Sequence, residues 1–223
     1  MKLTYVSHAC VMLEHDGKVI VTDPFIKDLE TAKSKFPQLF TPDVIVISHG
    51  HDDHLHNLKD VYKRGTQIVG IVELVSYLRQ QGYGGLHGMN FGGKEYLAGA
   101  EIAPVPARHT SALSGTYLGE AAGFVITIGG QRVYFAGDTD VFGDMALIAE
   151  RFKPTIGLLP IGGYYTMDAE GAAFCCNRYF DFSTVIPIHY DTFPAIATST
   201  EPLRNGVKKG EVKVLKPFES IEF

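Results

Sequence analysis

His49, His51, Asp53 and His54 fall within six residues of one another in "SHGHDDHLH", positions 48–56, directly behind the apolar run "VIVI". Imidazole nitrogens and carboxylate oxygens are donors that divalent transition ions readily accept. His49 and His51 are one residue apart, so on an extended segment leaving a strand they project the same way and grip one ion together. Asp53 and His54 follow at the turn into a helix and point elsewhere. Four donors on so short a loop cannot all wrap one tetrahedral ion, and the spacing favours two ions over one. Dinuclear catalytic sites hold their metals about 3.5–4 Å apart and draw further donors from other elements, commonly with a bridging carboxylate. His109 ends "EIAPVPARH", Asp138 ends "QRVYFAGD" and His189 ends "STVIPIH". Any one of them alone reads as a hydrogen-bonded rim residue. Joined to the loop they make seven nitrogen and oxygen donors, a set suited to two divalent ions.

The elements that must position these donors are short β-branched runs alternating with helical patterns. The chain opens as a meander of "KLTYV", "CVMLEH" and "KVIVTD", the last two joined by the Asp-Gly hairpin signal at Asp16-Gly17. Residues 27–42 are polar, end at Pro42 and read as a helical or irregular excursion. A strand "DVIVIS", a helix over 55–64, a strand "TQIVGIV" and the helical "ELVSYLRQQ" give the next part βαβα character. "GYGGLHGMNFGG" is too glycine-rich for regular structure. Beyond it "AEIAPVPA", "GFVITI" and "QRVYFAG" read as strands, with a hairpin at Gly129-Gly130. A helix over 143–152, the strand "TIGLLPI", a helix over 168–180, the strand "TVIPIH", a helix over 199–207 and a final "EVKVL" complete the order. His109, Asp138 and His189 each lie just past the C-terminal end of a predicted strand, which puts them on one rim.

Composition bounds the alternatives. With 223 residues and 45% apolar content the chain can bury a full core as a single domain spanning 1–223. A formal charge of -5 disfavours nucleic-acid partners. No run of about 18 apolar residues occurs and the N-terminus has no leader pattern, so neither a membrane nor an exported setting is expected and the protein reads as cytoplasmic. Cys10, Cys175 and Cys176 form no even framework, and the adjacent pair reads as small core residues of a helix.

Taken jointly, "HGHDDH", a distant His, the Asp of "AGDT" and the His of "PIHY" resemble the metallo-β-lactamase superfamily of metal-dependent hydrolases, over essentially the whole chain. "SHAC" at 7–10, "TDPF" at 22–25, "GMNFGG" at 88–93, "AGDTDVFGDM" at 136–145 and "PIGGYYTM" at 160–167 are similar to a branch of largely uncharacterised hydrolases related to the ascorbate-6-phosphate lactonases. The resemblance implies an α/β fold, a four-layer αββα sandwich of two mixed sheets. It also implies that His49, His51 and His109 bind one metal, Asp53, His54 and His189 the other, and that Asp138 bridges them. The oxygen-reducing diiron members carry Glu where this chain has His51, so redox chemistry is not expected. Nor does the chain carry the long RNA-gripping insertion of tRNA-maturing relatives.

The function implied is hydrolysis of a small ester, lactone, amide or phosphoester by a water activated between two divalent ions, zinc foremost, with manganese, iron or nickel accepted by the same donors. Asp53 or Asp138 would take or relay the proton. A metal-dependent binding or sensing protein without turnover is the alternative. The partner expected is a small molecule, and a homo-oligomer is compatible with this reading. Asp23 ends a strand and is expected to hold a ligand histidine by its second ring nitrogen. His8, in "SHAC", is expected beside the metals but uncoordinated, facing substrate as an acid or orienting donor. His56 and Asn57 read as helix-surface or capping residues, His15 as a solvated turn residue, and His87 as a loop residue near substrate, with both His15 and His87 outside the site.

Overall fold

The computed structural model describes residues 1–223. The first sheet is built from β1 (Lys2–Ser7), β2 (Cys10–His15) and β3 (Lys18–Thr22), followed after α1 (Leu29–Lys35) by β4 (Val44–Val46). Two single-turn helices, α2 (Asp52–Leu55) and α3 (Leu58–Val61), lead to β5 (Gln67–Ile71), α4 (Val72–Gln80) and β6 (Leu86–Met89). The second sheet begins with β7 (Glu95–Leu97) and β8 (Ala100–Pro106). A small ribbon of β9 (Ala112–Leu113) and β10 (Thr116–Tyr117) precedes β11 (Ala122–Ile128) and β12 (Gln131–Phe135). Then come α5 (Met145–Phe152), β13 (Ile156–Pro160), α6 (Ala169–Tyr179), β14 (Thr184–Ile188), α7 (Glu201–Gly206), β15 (Glu211–Val212) and β16 (Glu219–Glu222). The sheets have the orders β16-β1-β2-β3-β4-β5-β6 and β15-β14-β13-β12-β11-β8-β7, both mixed.

Period-two burial explains why these strands read as apolar on both faces. Leu3, Val11, Leu13, Val44 and Val46 of the first sheet meet Phe124, Ile126, Val133, Phe135, Ile186 and Ile188 of the second in a core between the sheets. The opposite faces are covered by helices. Cys10, Met12, Ile45 and Ile47 pack with Ala32, Leu58, Leu74 and Leu78 from α1, α3 and α4. Val125, Tyr134 and Val185 pack with Met145, Ile148, Ala172 and Leu203 from α5, α6 and α7. The result is the four-layer αββα sandwich. Cys175 and Cys176 are buried in that last cluster as packing residues, and no helix is long and apolar enough to cross a membrane.

Both expected hairpins form, with Asp16-Gly17 and Gly129-Gly130 all at positive φ, the geometry of a two-residue turn that matches strand twist. Three expectations are corrected. The helix expected over 55–64 is two short turns, because the Asn57 carboxamide accepts from Ile26 N and donates to Asp60 instead of yielding to the helix. The glycine-rich stretch contains β6, an edge strand recruited by parallel pairing of Ile68, Val69, Gly70 and Ile71 with Leu86, His87, Gly88 and Met89. Of "EVKVL" only Glu211–Val212 is strand, and the unforeseen β16 pairs antiparallel with β1, tying the two chain ends together. His15 is half-buried at the end of β2, and the His87 ring is occupied by Gln67 and Glu95.

Candidate metal centre

Within the first sheet β1, β3 and β4 run parallel to one another, and within the second so do β8, β12 and β14. Each of these six strands releases a chemically capable residue at its C-terminal end: His8, Asp23, His49, His109, Asp138 and His189. Two main-chain hydrogen bonds stitch the rims together, His189 N to His8 O at 2.9 Å and Ala122 N to Ser48 O at 3.0 Å. Three of the strand-end residues, His8, Asp23 and His189, adopt positive φ of 56°, 28° and 54°, a region non-glycine residues enter only at a cost. Gly50, between His49 and His51, is required by close approach: a Cβ there would lie 2.3 Å from Leu118 Cδ1.

The donors fall into two groups. Ring nitrogens of His49, His51 and His109 lie within 4.8 Å of one another, and so, as a separate group, do donor atoms of Asp53, His54, His189 and His8. Asp138 sits between them. Its Oδ2 is 3.9 Å from His49 Nε2 and 3.5 Å from His109 Nε2 on one side, and 3.4 Å from His54 Nε2 and 3.0 Å from His189 Nε2 on the other. The seven residues singled out by spacing and strand position are thus brought together in space.

Asp23 orients two of these histidines. His54 Nδ1 donates to its Oδ2 at 2.6 Å, which leaves His54 Nε2 facing Asp138. The Ser48 main chain and hydroxyl donate to the same carboxylate at 2.7 and 2.5 Å. With its proton so used, Ser48 Oγ accepts from His49 Nδ1 at 2.9 Å, fixing the tautomer whose Nε2 lone pair faces His51 Nδ1, 3.0 Å away. Ser48 was not singled out in the sequence, although it immediately precedes the histidine motif.

The His8 ring is fully buried, and its two nitrogens are both engaged, Nδ1 by the Thr192 hydroxyl at 2.6 Å and Nε2 by Asp53 Oδ2 at 3.1 Å. Its centroid lies 3.9 Å from that of the His189 ring, the two planes tilted by 41°, and it does not line the cavity above the site. Substrate contact, expected from the sequence, is therefore replaced by contact with Asp53: the positive-φ turn after β1 carries the ring under the rim. Thr192 lies in a loop with no sequence signal of its own, and so do Phe193, Pro194 and Ala195, which form one wall of the cavity.

The charges show what the pocket is built to hold. Burial opposes charge on His54 and His189, yet Asp138, with Asp23 for His54 and Asp53 for His189, outweighs it and raises both above the ordinary histidine range. Burial likewise opposes ionisation of Asp138 and Asp53, and the surrounding histidines nonetheless hold both carboxyls below their usual range. Burial keeps His49, His51 and His109 neutral, the form that binds metal, and pushes His8 down to about 4. Positive charge is thus drawn between two carboxylates. His54 Nε2, Asp138 Oδ1 and both ring nitrogens of His189 are buried there without a well-aligned hydrogen bond. Neutral imidazoles, ionised carboxylates and orphaned donor atoms aimed at one place fit divalent cations.

Residues 2–189 match the beta-lactamase superfamily domain. The chain belongs to the metallo-β-lactamase superfamily. Within the superfamily it is 39% identical over 230 residues to a metal-dependent hydrolase of Cereibacter sphaeroides, the match spanning 98% of this chain and 100% of that one. It is 36% identical over 230 residues to a metal-dependent hydrolase of Staphylococcus carnosus, covering 100% of both. Among solved structures, Igni18, a metallo hydrolase of the archaeon Ignicoccus hospitalis, superposes with a TM-score of 0.87 at 35% identity, over 100% of this chain and 98% of that one. By that kinship the chain is a metal-dependent hydrolase of the metallo-β-lactamase superfamily.

Proposed function

We propose that this hydrolase works through a dinuclear centre, His49, His51 and His109 holding one divalent ion, Asp53, His54 and His189 the other, and Asp138 shared. The reading is carried by the position of Asp138 Oδ2, within 3.0–3.9 Å of histidine nitrogens from both groups. Zinc is the favoured ion, with manganese, iron and nickel suited to the same donors. When bound, such ions acidify water toward neutrality and polarise a carbonyl or phosphoryl oxygen.

The chain's own residues divide the remaining work. The Asp53 side chain is 29% exposed and faces the cavity, whereas that of Asp138 is 3% exposed. Asp53 is therefore the carboxylate that takes the proton of the attacking water and returns it to the leaving group. His8 Nε2, donating to Asp53 Oδ2, keeps that carboxylate aimed at the cavity. Asp23 and Ser48 hold His54 and His49 so that neither imidazole must reorganise during the reaction.

Elemental analysis of active, fully loaded protein, paired with turnover of phosphodiester, lactone, thioester, ester and amide substrates, tests the proposal. Two ions per chain and turnover above free metal are expected, and Asp138→Ala should lose at least one ion and most activity. One ion in fully active protein refutes the dinuclear mechanism. Full loading without any turnover makes the protein a binding or sensing member instead.

A further inference from the structure

Above the donors lies a cavity of about 770 Å³, the size of a small-molecule site. Phe193, Pro194 and Ala195, from the loop after β14, line it, and so does Tyr165, from the loop after β13. Phe193 is held by two neighbouring rings, and Tyr165 by one, the exposed Tyr164. Phe193 is set edge-on against Phe25 and His8, at centroid distances of 5.6 and 5.4 Å, and Tyr165 edge-on against Tyr164 at 4.7 Å. Both remain open to a ligand, Phe193 36% and Tyr165 57% exposed. Apart from the metal-site donors themselves, the Thr110 and Tyr165 hydroxyls are the hydrogen-bonding side chains on the cavity lining.

No lysine or arginine lines this cavity. Lys27 turns away, its Nζ 3.4 Å from Thr192 O on the side of a separate cleft that also holds Lys216. A phosphate or carboxylate carried away from the reacting bond would find aromatic and aliphatic surface and no cation, an unfavourable exchange for its hydration. The reacting centre is constrained as well. Phosphoryl transfer spreads charge over three equatorial oxygens and commonly recruits arginine or lysine beside its metal ions, a supplement this lining does not offer, whereas acyl transfer develops a single oxyanion that the ions alone would hold.

We infer that the substrate is a small, uncharged acyl compound, an ester, lactone or amide, whose alkyl or aryl group packs against the Phe193 and Tyr165 rings. The inference rests on the hydrolase reading above. Water's oxygen bonds to the acyl carbon and the C–O or C–N bond breaks. The products are a carboxylic acid and an alcohol or amine, which share the two protons of the water.

The test uses the metal-loaded protein with 4-nitrophenyl acetate, butyrate and hexanoate, bis(4-nitrophenyl) phosphate, and a hexanoate analogue ending in a carboxylate. KM should fall along the neutral series on the order of threefold per buried methylene, and the anionic-tailed ester should be the poorest of the acyl substrates. Phe193→Ala and, separately, Tyr165→Ala should flatten the chain-length dependence of KM while metal content stays at the wild-type value. Equilibrium dialysis of N-phenylhexanamide against metal-free protein gives a readout independent of turnover, with Kd rising on the order of tenfold in each variant. Faster turnover of the phosphodiester, preference for the anionic tail, or a chain-length dependence indifferent to both variants overturns the inference and leaves the hydrolase reading standing. No turnover of any member of the panel overturns the inference, and the lactone, thioester and amide substrates named above then decide the hydrolase reading separately.

Discussion

At one end of the sandwich the chain turns through Asp16-Gly17 and Gly129-Gly130, and at the other it leaves its strands through His8, Asp23 and His189. All seven residues have positive φ. At the first end the reason is local. Two-residue hairpins need that backbone, and glycine supplies it in three of the four positions. The two hairpins sit together, since a Cβ on Gly129 would lie 2.9 Å from the His15 ring. At the second end residues with full side chains hold the same conformation, where glycine would have been easier. What they gain is direction: the His8 and Asp23 side chains are turned under the rim into hydrogen bonds with Thr192, Asp53, Ser48 and His54, and the His189 ring is turned toward Asp53 and Asp138. Identical backbone geometry therefore serves chain reversal at one end and placement of donors at the other. Perturbing the donor end should change chemistry more than stability, and perturbing the hairpin end the reverse.

The largest effect is expected at Asp53. Asp53→Asn keeps the size and a carbonyl oxygen for His8 Nε2 but cannot take a proton, so turnover should fall on the order of 10³-fold. Circular dichroism and thermal melting should change little. Turnover within tenfold of wild type would move the proton-accepting role to Asp138.

His8 comes next. His8→Ala should keep its bound metals and lower turnover on the order of 10²-fold by freeing Asp53 to swing, with the loss in kcat rather than KM. His8→Gln places an amide donor near the position of Nε2 and should recover part of it. Equal losses in both variants would reduce His8 to packing, and loss of an ion would make it a ligand. The comparison of ends adds a second measurement. His8→Gly should melt higher than His8→Ala, because φ 56° costs alanine about 1–2 kcal/mol and glycine nothing comparable.

Ser48→Ala is expected to weaken metal binding about tenfold, the lower part of the range for removing a partner of a ligand histidine. His49 Nδ1 loses its acceptor while Asp23 retains His54 and the main-chain N–H of residue 48. A chelator competition titration measures it, and unchanged affinity would mean that packing alone orients His49.

The same contrast explains what could be read from the sequence. His49, His51, Asp53 and His54 were legible because one loop carries them, so spacing stands in for distance. His109, Asp138 and His189 were legible only as a set. Each follows an apolar β-branched run, and parallel strands bring their C-terminal ends to a common rim. The sandwich itself was implied by the resemblance of the joined motifs, and the alternation of such runs with helical segments agrees with it without being enough to show it. Ser48 and Thr192 were not legible, because a hydroxyl in a loop has no periodicity to mark it and its partners are found only through the stitching of the two rims. The cavity walls failed for a related reason: nothing in "TFPA" distinguishes a substrate wall from an ordinary turn. β6 and β16 were missed because long-range pairing at sheet edges overrode weak local preference.

The smallest effect belongs to the hairpin end. Gly130 has φ 76°, and a Cβ there would meet nothing within 4 Å, so Gly130→Ala isolates the backbone cost from any clash. Left-handed alanine should cost about 1–2 kcal/mol, a fall in Tm of about 2–8 °C for a chain of this size. Because Gln131, which follows it, opens the strand whose other end releases Asp138, the change lies a full strand length from the donors. Metal content, kcat and KM should all match wild type below the melting transition. Gly129→Ala provides the control, since it adds a collision with the His15 ring to the same backbone cost and should melt lower still. If Gly130→Ala instead lowered kcat or metal content in protein that remains folded, the two ends would be mechanically coupled along β12, and the division of the molecule into a hairpin end and a donor end would fail.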